Sequence, residues 1–185
     1  MPPLRKYNRE DIIKVAYEIA KLEGLEGINA RKIAKTLGSS VQPIFHNFKN
    51  MEELIGEVTK KIYLKYQEYF KVDVKMPKAY KLMGLGYIKF ARDYPEFFKI
   101  LFMKQTNKSA IDFVMADALS DDVIKAGVKL TGFSVEDQKR FHVKVWIFTH
   151  GMACLMATKT VNFTDLELDE LLTDSIVAMY RGEGK

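Results

Sequence analysis

Residues 29–50 read NARKIAKTLGSSVQPIFHNFKN, and the fold follows from how this stretch is parsed. Asn29 offers a side-chain oxygen to the orphaned N–H groups of a helix that starts at residue 30. Ile33, Ala34 and Leu37 then lie on one face of that helix, and Gly38 comes directly after it, where a left-handed residue ends a helix at little cost. Ser39 and Ser40 reopen the chain and offer a second cap, and Pro43 falls in the first turn of the next helix. Ile44 and Phe48, four apart, form the buried face of that second helix. A helix, a glycine turn and a short second helix make a helix-turn-helix, whose second helix enters the DNA major groove. Charge supports that reading. From Arg31 to Lys49 there are four cations (Arg31, Lys32, Lys35, Lys49) and no Asp or Glu, as neutralising phosphates requires. The competing reading is a surface helical hairpin with a solvated basic face.

The flanks extend the pattern. Asn8 and Asp11 form a capping pair ahead of a helix over about 9–23, carried by Ile12, Val15, Ala16, Ile19 and Ala20 and closed near Gly24. This helix completes a three-helix head, preceded by a mobile arm over residues 1–7 in which Arg5 and Lys6 can reach phosphate. Asn50 caps a longer helix, about 51–71, striped by Leu54, Ile55, Val58, Ile62 and Tyr66, that links head to body. The remaining chain reads as helices throughout. One runs from Pro77 to Asp93, a short one follows Pro95, and 109–130 forms one helix or two parted near Ser120 and Asp121. Ser134 caps a long helix to about Thr160, and Thr164 caps the last. No alternating strand pattern occurs, so the expected class is all-α with about nine helices. The expected domains are 1–50, the helix-turn-helix head, and 51–185, a helical ligand-binding and dimerisation body.

Composition sets limits. The chain has 185 residues, is 48% hydrophobic and carries a net charge of +5, with a pI near 9.1, which suits an anionic partner. One cysteine excludes an internal disulfide framework and suits a reducing cytoplasm. MPPLRKYNRED lacks the apolar core of a signal peptide, and no apolar run reaches the roughly 18 residues of a membrane span. The longest apolar stretch, Val145 to Ala157, is broken by Thr149, His150 and Gly151 and reads as a helix buried on several sides. No nucleophile elbow, phosphate loop, H-E-x-x-H or CxxC motif is present, so no enzyme activity and no cofactor are expected.

Residues 8–54 resemble the TetR family of bacterial transcriptional repressors. The stretch from Asn29 to Leu54 is similar to the family pattern T-x-R-x-I-A-x-x-x-G-x-S-x-x-x-L-Y-x-H-F-x-x-K-x-x-L, with Arg31, Ile33, Ala34, Gly38, Ser40, Phe48 and Leu54 matching. Phe45 stands where the pattern has Tyr, Asn47 where it has His, and Met51 where it has Lys, which removes phosphate-bonding groups. YPEFFKILF and WIFTHG resemble stretches of the family's effector domains, the second a W-x-x-x-H-G subgroup.

The resemblance implies a repressor released from a palindromic operator by a small, largely apolar effector, and a homodimer formed through the last two helices. It assigns base reading to Arg31 and Gln42, whose forked or amide side chains match guanine or adenine edges. Ser40, His46 and Lys49 are assigned to phosphate, Asn29 to capping and phosphate, and Pro43 and Phe45 to a thymine methyl or sugar. A ligand pocket is expected from among Tyr87, Phe90, Phe97, Phe98, Phe102, Met103, Phe113, Trp146, His150 and Cys154, any of which can equally be plain core. His150 and Cys154 are four apart, but without a third ligand they are read as a hydrogen-bonded His and an inert Cys, and no metal is expected. The alternative readings are a small all-α carrier or enzyme for an apolar ligand, with an incidental basic hairpin, and a constitutive architectural DNA binder.

Overall fold

The computed structural model describes residues 7–73, 78–116 and 120–183. Ten α-helices and no strand occur among them: α1 (Arg9–Glu23), α2 (Ala30–Leu37), α3 (Gln42–Asn47), α4 (Met51–Gln67), α5 (Ala79–Asp93), α6 (Pro95–Phe102), α7 (Ala110–Met115), α8 (Ser120–Thr131), α9 (Val135–Ala157) and α10 (Asp165–Glu183). The count exceeds the expected nine because the stretch 109–130 is two helices. The expected helix start at Pro77, the apolar Leu119 and the Arg5 and Lys6 arm contacts lie outside the described residues. None of the described helices is long and apolar enough to cross a membrane.

The chain divides into two compact units, Met1–Glu68 with Tyr94–Lys104, and Tyr69–Asp93 with Gln105–Lys185. In the first, α1 packs on α2, α3, α4 and α6. The periodic positions read from the sequence supply its core: Ile12, Ala16, Ile33, Ile44, Leu54, Val58 and Ile62 are fully buried. α6 adds Phe97, whose ring lies 4.8 Å from that of Tyr17, and Phe102, 4.9 Å from Tyr66. Burying one such aromatic side chain contributes on the order of 2–3 kcal/mol, so a short helix that is apolar nearly throughout is well accounted for here.

Local signals hold at most helix ends. Asn8 and Asp11 bond reciprocally to each other's backbone N–H, at 2.9 and 3.0 Å. Asn29 accepts the N–H of Lys32 and Asn50 that of Glu53, each at 2.9 Å. Gly38 has φ +64° and ψ +38°, the left-handed region that a Cβ disfavours. Two expectations need correction. α3 starts after Val41, which has no side-chain acceptor; Ser40 Oγ receives only a long 3.4 Å bond from the Gln42 N–H. Tyr7 is not part of a free arm: its hydroxyl donates to the Leu37 carbonyl and its side chain is half-buried.

In the second unit α9 packs against α5, α7, α8 and α10. The linking helix stops at Gln67 rather than 71, and Glu68–Phe70 form a 3-10 turn. There the Tyr69 carbonyl comes so close to α5 that a Cβ on Gly86 would lie 2.3 Å from its oxygen. Arg92 reaches Asp165 at 2.7 Å and Lys81 reaches Asp169 at 2.8 Å, joining α5 to α10. Gln138, fully buried, donates to the Tyr80 hydroxyl at 2.6 Å and accepts from Thr131 at 2.9 Å, which meets its need for partners away from water. Burial raises the pKa of the Tyr80 phenol, an effect the Gln138 bond partly offsets.

Val145–Ala157 is less enclosed than expected. Val145, Thr149, Met152, Ala153 and Met156 are buried, but Ile147 is 54% exposed and Gly151 is open. On α10, Leu168 and Leu172 are buried, whereas Leu171, Leu166 and Val177 face outward from this single chain.

Candidate nucleic-acid interface

The helix-turn-helix sorts its residues by helical phase. Ile33, Ala34, Ile44 and Phe48 point into the core. Arg31, Ser40, Gln42, Phe45, His46 and Lys49 are exposed together with Asn29, and Pro43 is half-buried. Every expected contact residue except Pro43 is therefore open to a partner. Phe45 is 51% exposed, an apolar ring at the surface about a quarter-turn round α3 from the buried Ile44.

Electrostatics narrows the set of free cations. Lys32 is paired with Glu23. Arg31, Lys35 and Lys49 have no ion-pair partner among the described residues, so their charges remain available. Asn29 spends its oxygen on the Lys32 N–H and directs its amide at the Gly27 carbonyl, 3.4 Å away; it caps α2 first. Asn47, which stands where the family pattern has His, is turned inward instead: its amide donates to the Pro43 carbonyl at 2.8 Å and the Tyr7 carbonyl at 3.3 Å.

Two residues escaped the sequence reading. Val41, 38% exposed, directly precedes α3 and adds an apolar side chain to the open surface; periodicity gave no signal for it, because three and seven residues before Ile44 and Phe48 it shares their helical face. Arg9, at the start of α1, donates to the Asn47 carbonyl at 2.8 Å and pairs with Glu53 at 2.9 Å. No local signal marks it, because its partners lie some forty residues away. Glu53 also accepts the Lys49 N–H at 2.7 Å; that bond first, and Arg9 second, hold its carboxyl below the usual glutamate range.

The expected pocket residues fall in both units. Phe98 and Phe102 pack on each other in the first, ring centroids 5.3 Å apart, and Met103 lies exposed beyond them. The second unit gathers the others around His150. Trp146 stacks on the imidazole at 4.6 Å and 13°, and Phe113 meets Trp146 edge-on at 5.6 Å. Tyr87 Oη lies 3.0 Å from Nδ1 and Cys154 Sγ 3.4 Å from Nε2. With the Tyr87 hydroxyl donating to Nδ1, the Nε2–H is left facing sulfur. Burial lowers the His150 pKa and raises that of the Cys154 thiol, so both are neutral near pH 7. Phe90 packs instead against Tyr69, at 5.5 Å. No group of three or more His, Cys, Asp or Glu among the described residues could hold a metal ion.

Comparison with known proteins agrees with this geometry. The bacterial regulatory proteins of the tetR family are matched over residues 12–58, from α1 into α4. The class D tetracycline repressor of Escherichia coli is 22% identical, over 98% of this chain and 84% of its own length. The class H repressor of Photobacterium damsela subsp. piscicida is likewise 22% identical, with the same coverage. Among solved structures, a TetR-like transcriptional regulator from Rhodococcus sp. RHA1 has the same fold, with a TM-score of 0.62 at 13% identity over 97% of both chains. A putative transcriptional regulator from Streptomyces coelicolor gives 0.56 at 16% identity, over 94% of this chain and 98% of that one. With a helix-turn-helix of this geometry at its N-terminal end, residues 12–58 match the tetR family of bacterial regulatory proteins, and the chain shares the fold of a TetR-like regulator.

Proposed function

We propose that this protein is a homodimeric, ligand-responsive repressor that binds a pseudopalindromic operator and is released from it by a small, largely apolar effector. The observation that carries the reading is the phase separation of the helix-turn-helix. Its apolar side chains are buried, while Arg31, Ser40, Gln42, His46 and Lys49 are exposed on a stretch without a single carboxylate. Residues 1–50 act as the head and 51–185 as the regulatory body. Arg31 and Gln42 read base edges, and Ser40, His46 and Lys49 bond phosphates, with Asn29 joining them from its cap. Phe45, with Pro43 beside it, presses on a thymine methyl or sugar.

Two heads of a dimer meet successive major grooves roughly 34–36 Å apart. The exposed apolar residues of α9 and α10, among them Ile147 and Leu171, support a dimer through these two helices. The effector acts at the Trp146–His150–Tyr87 cluster, whose polar groups are all neutral. It releases DNA only by binding the released geometry more tightly than the DNA-bound one. α4 runs directly into the Tyr69–Phe70 turn, and Phe70 meets Tyr87 at 6.4 Å, so a ligand that displaces Tyr87 disturbs the turn at the end of α4. Family members are transcription factors rather than enzymes, and such a protein works in the cytoplasm.

Fluorescence anisotropy with duplexes tiling the DNA around its own gene tests the reading. A salt-sensitive complex with two chains per site is expected. A protein that binds no duplex at low salt refutes it.

A further inference from the structure

We propose that Arg9, outside the helix-turn-helix, is a positioning residue for operator recognition: it fixes the exit of α3 and the entry of α4 through one guanidinium. The proposal rests on the DNA-binding reading above. α3 has six residues and no side-chain cap at its start. A helix so short has little stability of its own, so its orientation must be imposed by its surroundings.

Arg9 supplies much of that restraint at the C-terminal end. Its Nη1 donates to the Asn47 carbonyl, the last of α3, at 2.8 Å. Its Nη2 pairs with Glu53 at 2.9 Å and reaches Glu57 at 3.7 Å, both on α4. The guanidinium lies 4.2 Å from the centre of the buried Phe48 ring. Glu53 in turn accepts the Lys49 N–H and has its own N–H capped by Asn50. One planar group thus joins α1, the end of α3, the 48–50 loop and the start of α4. Lys49, a proposed phosphate contact, sits inside that loop. The arrangement uses Arg for its fork; a Lys ammonium is a point charge on a flexible stem and cannot hold several directions at once. Pairing with Arg9 also offsets the charge of Glu53, whose carboxylate would otherwise repel phosphate near Lys49.

The test uses the full-length dimer and the duplex recovered by selection from random sequences, with a scrambled duplex of equal length as control. Arg9→Lys keeps the charge and loses the fork. The expected result is a fall of about tenfold in the ratio of selected to scrambled affinity, the scale of losing one charge-assisted hydrogen bond, with the slope of affinity against salt unchanged. Glu53→Gln lowers the same ratio less, and the double variant is no weaker than Arg9→Lys alone, because both act on one restraint. Thermal melting corrects each affinity for folded fraction. An unchanged ratio overturns the proposal, as do additive effects. A salt slope reduced by about one also overturns it, since Arg9 would then touch phosphate directly. If the unsubstituted protein selects no duplex, the repressor reading falls and takes this proposal with it; selection by the unsubstituted protein with Arg9→Lys indistinguishable removes the proposal alone.

Discussion

Two helix-interior glycines are predicted to respond to alanine with opposite signs. Glycine in a helix interior costs roughly 0.5–1 kcal/mol relative to alanine, so Gly→Ala stabilises wherever the new methyl has room. Gly56, within α4, has no atom within 4 Å of the place a Cβ would take. Gly56→Ala should therefore gain that 0.5–1 kcal/mol. Gly86, within α5, is the reverse case: its Cβ would lie 2.3 Å from the Tyr69 carbonyl oxygen, well inside ordinary contact. The obstacle is backbone, and it is tied down. The Tyr69 hydroxyl bonds Asp93 at 2.8 Å, its ring packs 5.5 Å from Phe90, and Phe70 meets Tyr87. Forcing extra volume into a packed site costs about 1–3 kcal/mol. With the propensity gain subtracted, Gly86→Ala should lose about 1–2 kcal/mol. For a chain of this size each kcal/mol moves Tm by about 2–4 °C. Calorimetry should show Gly56→Ala melting a degree or more above the parent and Gly86→Ala several degrees below it. A Gly86→Ala protein as stable as the parent would mean that the Tyr69 turn is not anchored on α5, and the proposed route from Tyr87 to α4 would fail with it.

Arg31→Ala should cost about 1–3 kcal/mol of operator affinity and relax preference at one base position; an equal loss on every duplex in a selection experiment would assign Arg31 to phosphate instead. Leu171→Glu places a charge on the outward face of α10, where Leu171 is 41% exposed in the single chain, and should turn the proposed dimer into a monomer by sedimentation while helix content is kept; a dimer that survives it moves the interface elsewhere. His150 makes stability pH-dependent. Burial holds its folded pKa below the 6.5 of the free side chain, so below that pH the unfolded chain binds the proton first. Stability is then lost as pH falls through 6.5 and levels off once the folded His150 also protonates. Tm should drop more between about pH 7.5 and pH 5.5 for the parent than for His150→Gln, and parallel curves would show that His150 is not buried neutral.

Much of the head was legible because its information is local. Asn8, Asn29, Asn50 and Ser134 each cap the helix that follows, since the acceptor and the N–H it serves are three residues apart. Gly38 ends α2 because the left-handed turn is a single-residue property. Where pattern failed, a distant group had decided. Ser40 is a good cap by type, yet α3 begins after Val41, which has no side-chain acceptor. Tyr7 reads as part of a mobile arm, but the Leu37 carbonyl thirty residues away receives its hydroxyl. Phe98 and Trp146 are both aromatic residues at helical spacing, and nothing in that spacing told that they belong to different units.

The chain's own sequence determined the helices, their caps and the split of residues 29–50 into a buried and an open face, because periodicity and capping act within a few residues. It also carried the resemblance to the tetR pattern, which lies in those same residues. Tertiary structure alone decided which cations remain free, with Lys32 taken by Glu23 and Arg31 left open, and it alone brought Arg9 to Asn47 and His150 between Trp146 and Tyr87. These are directional contacts between segments far apart in sequence, and only the packed arrangement of helices fixes which donors and rings meet.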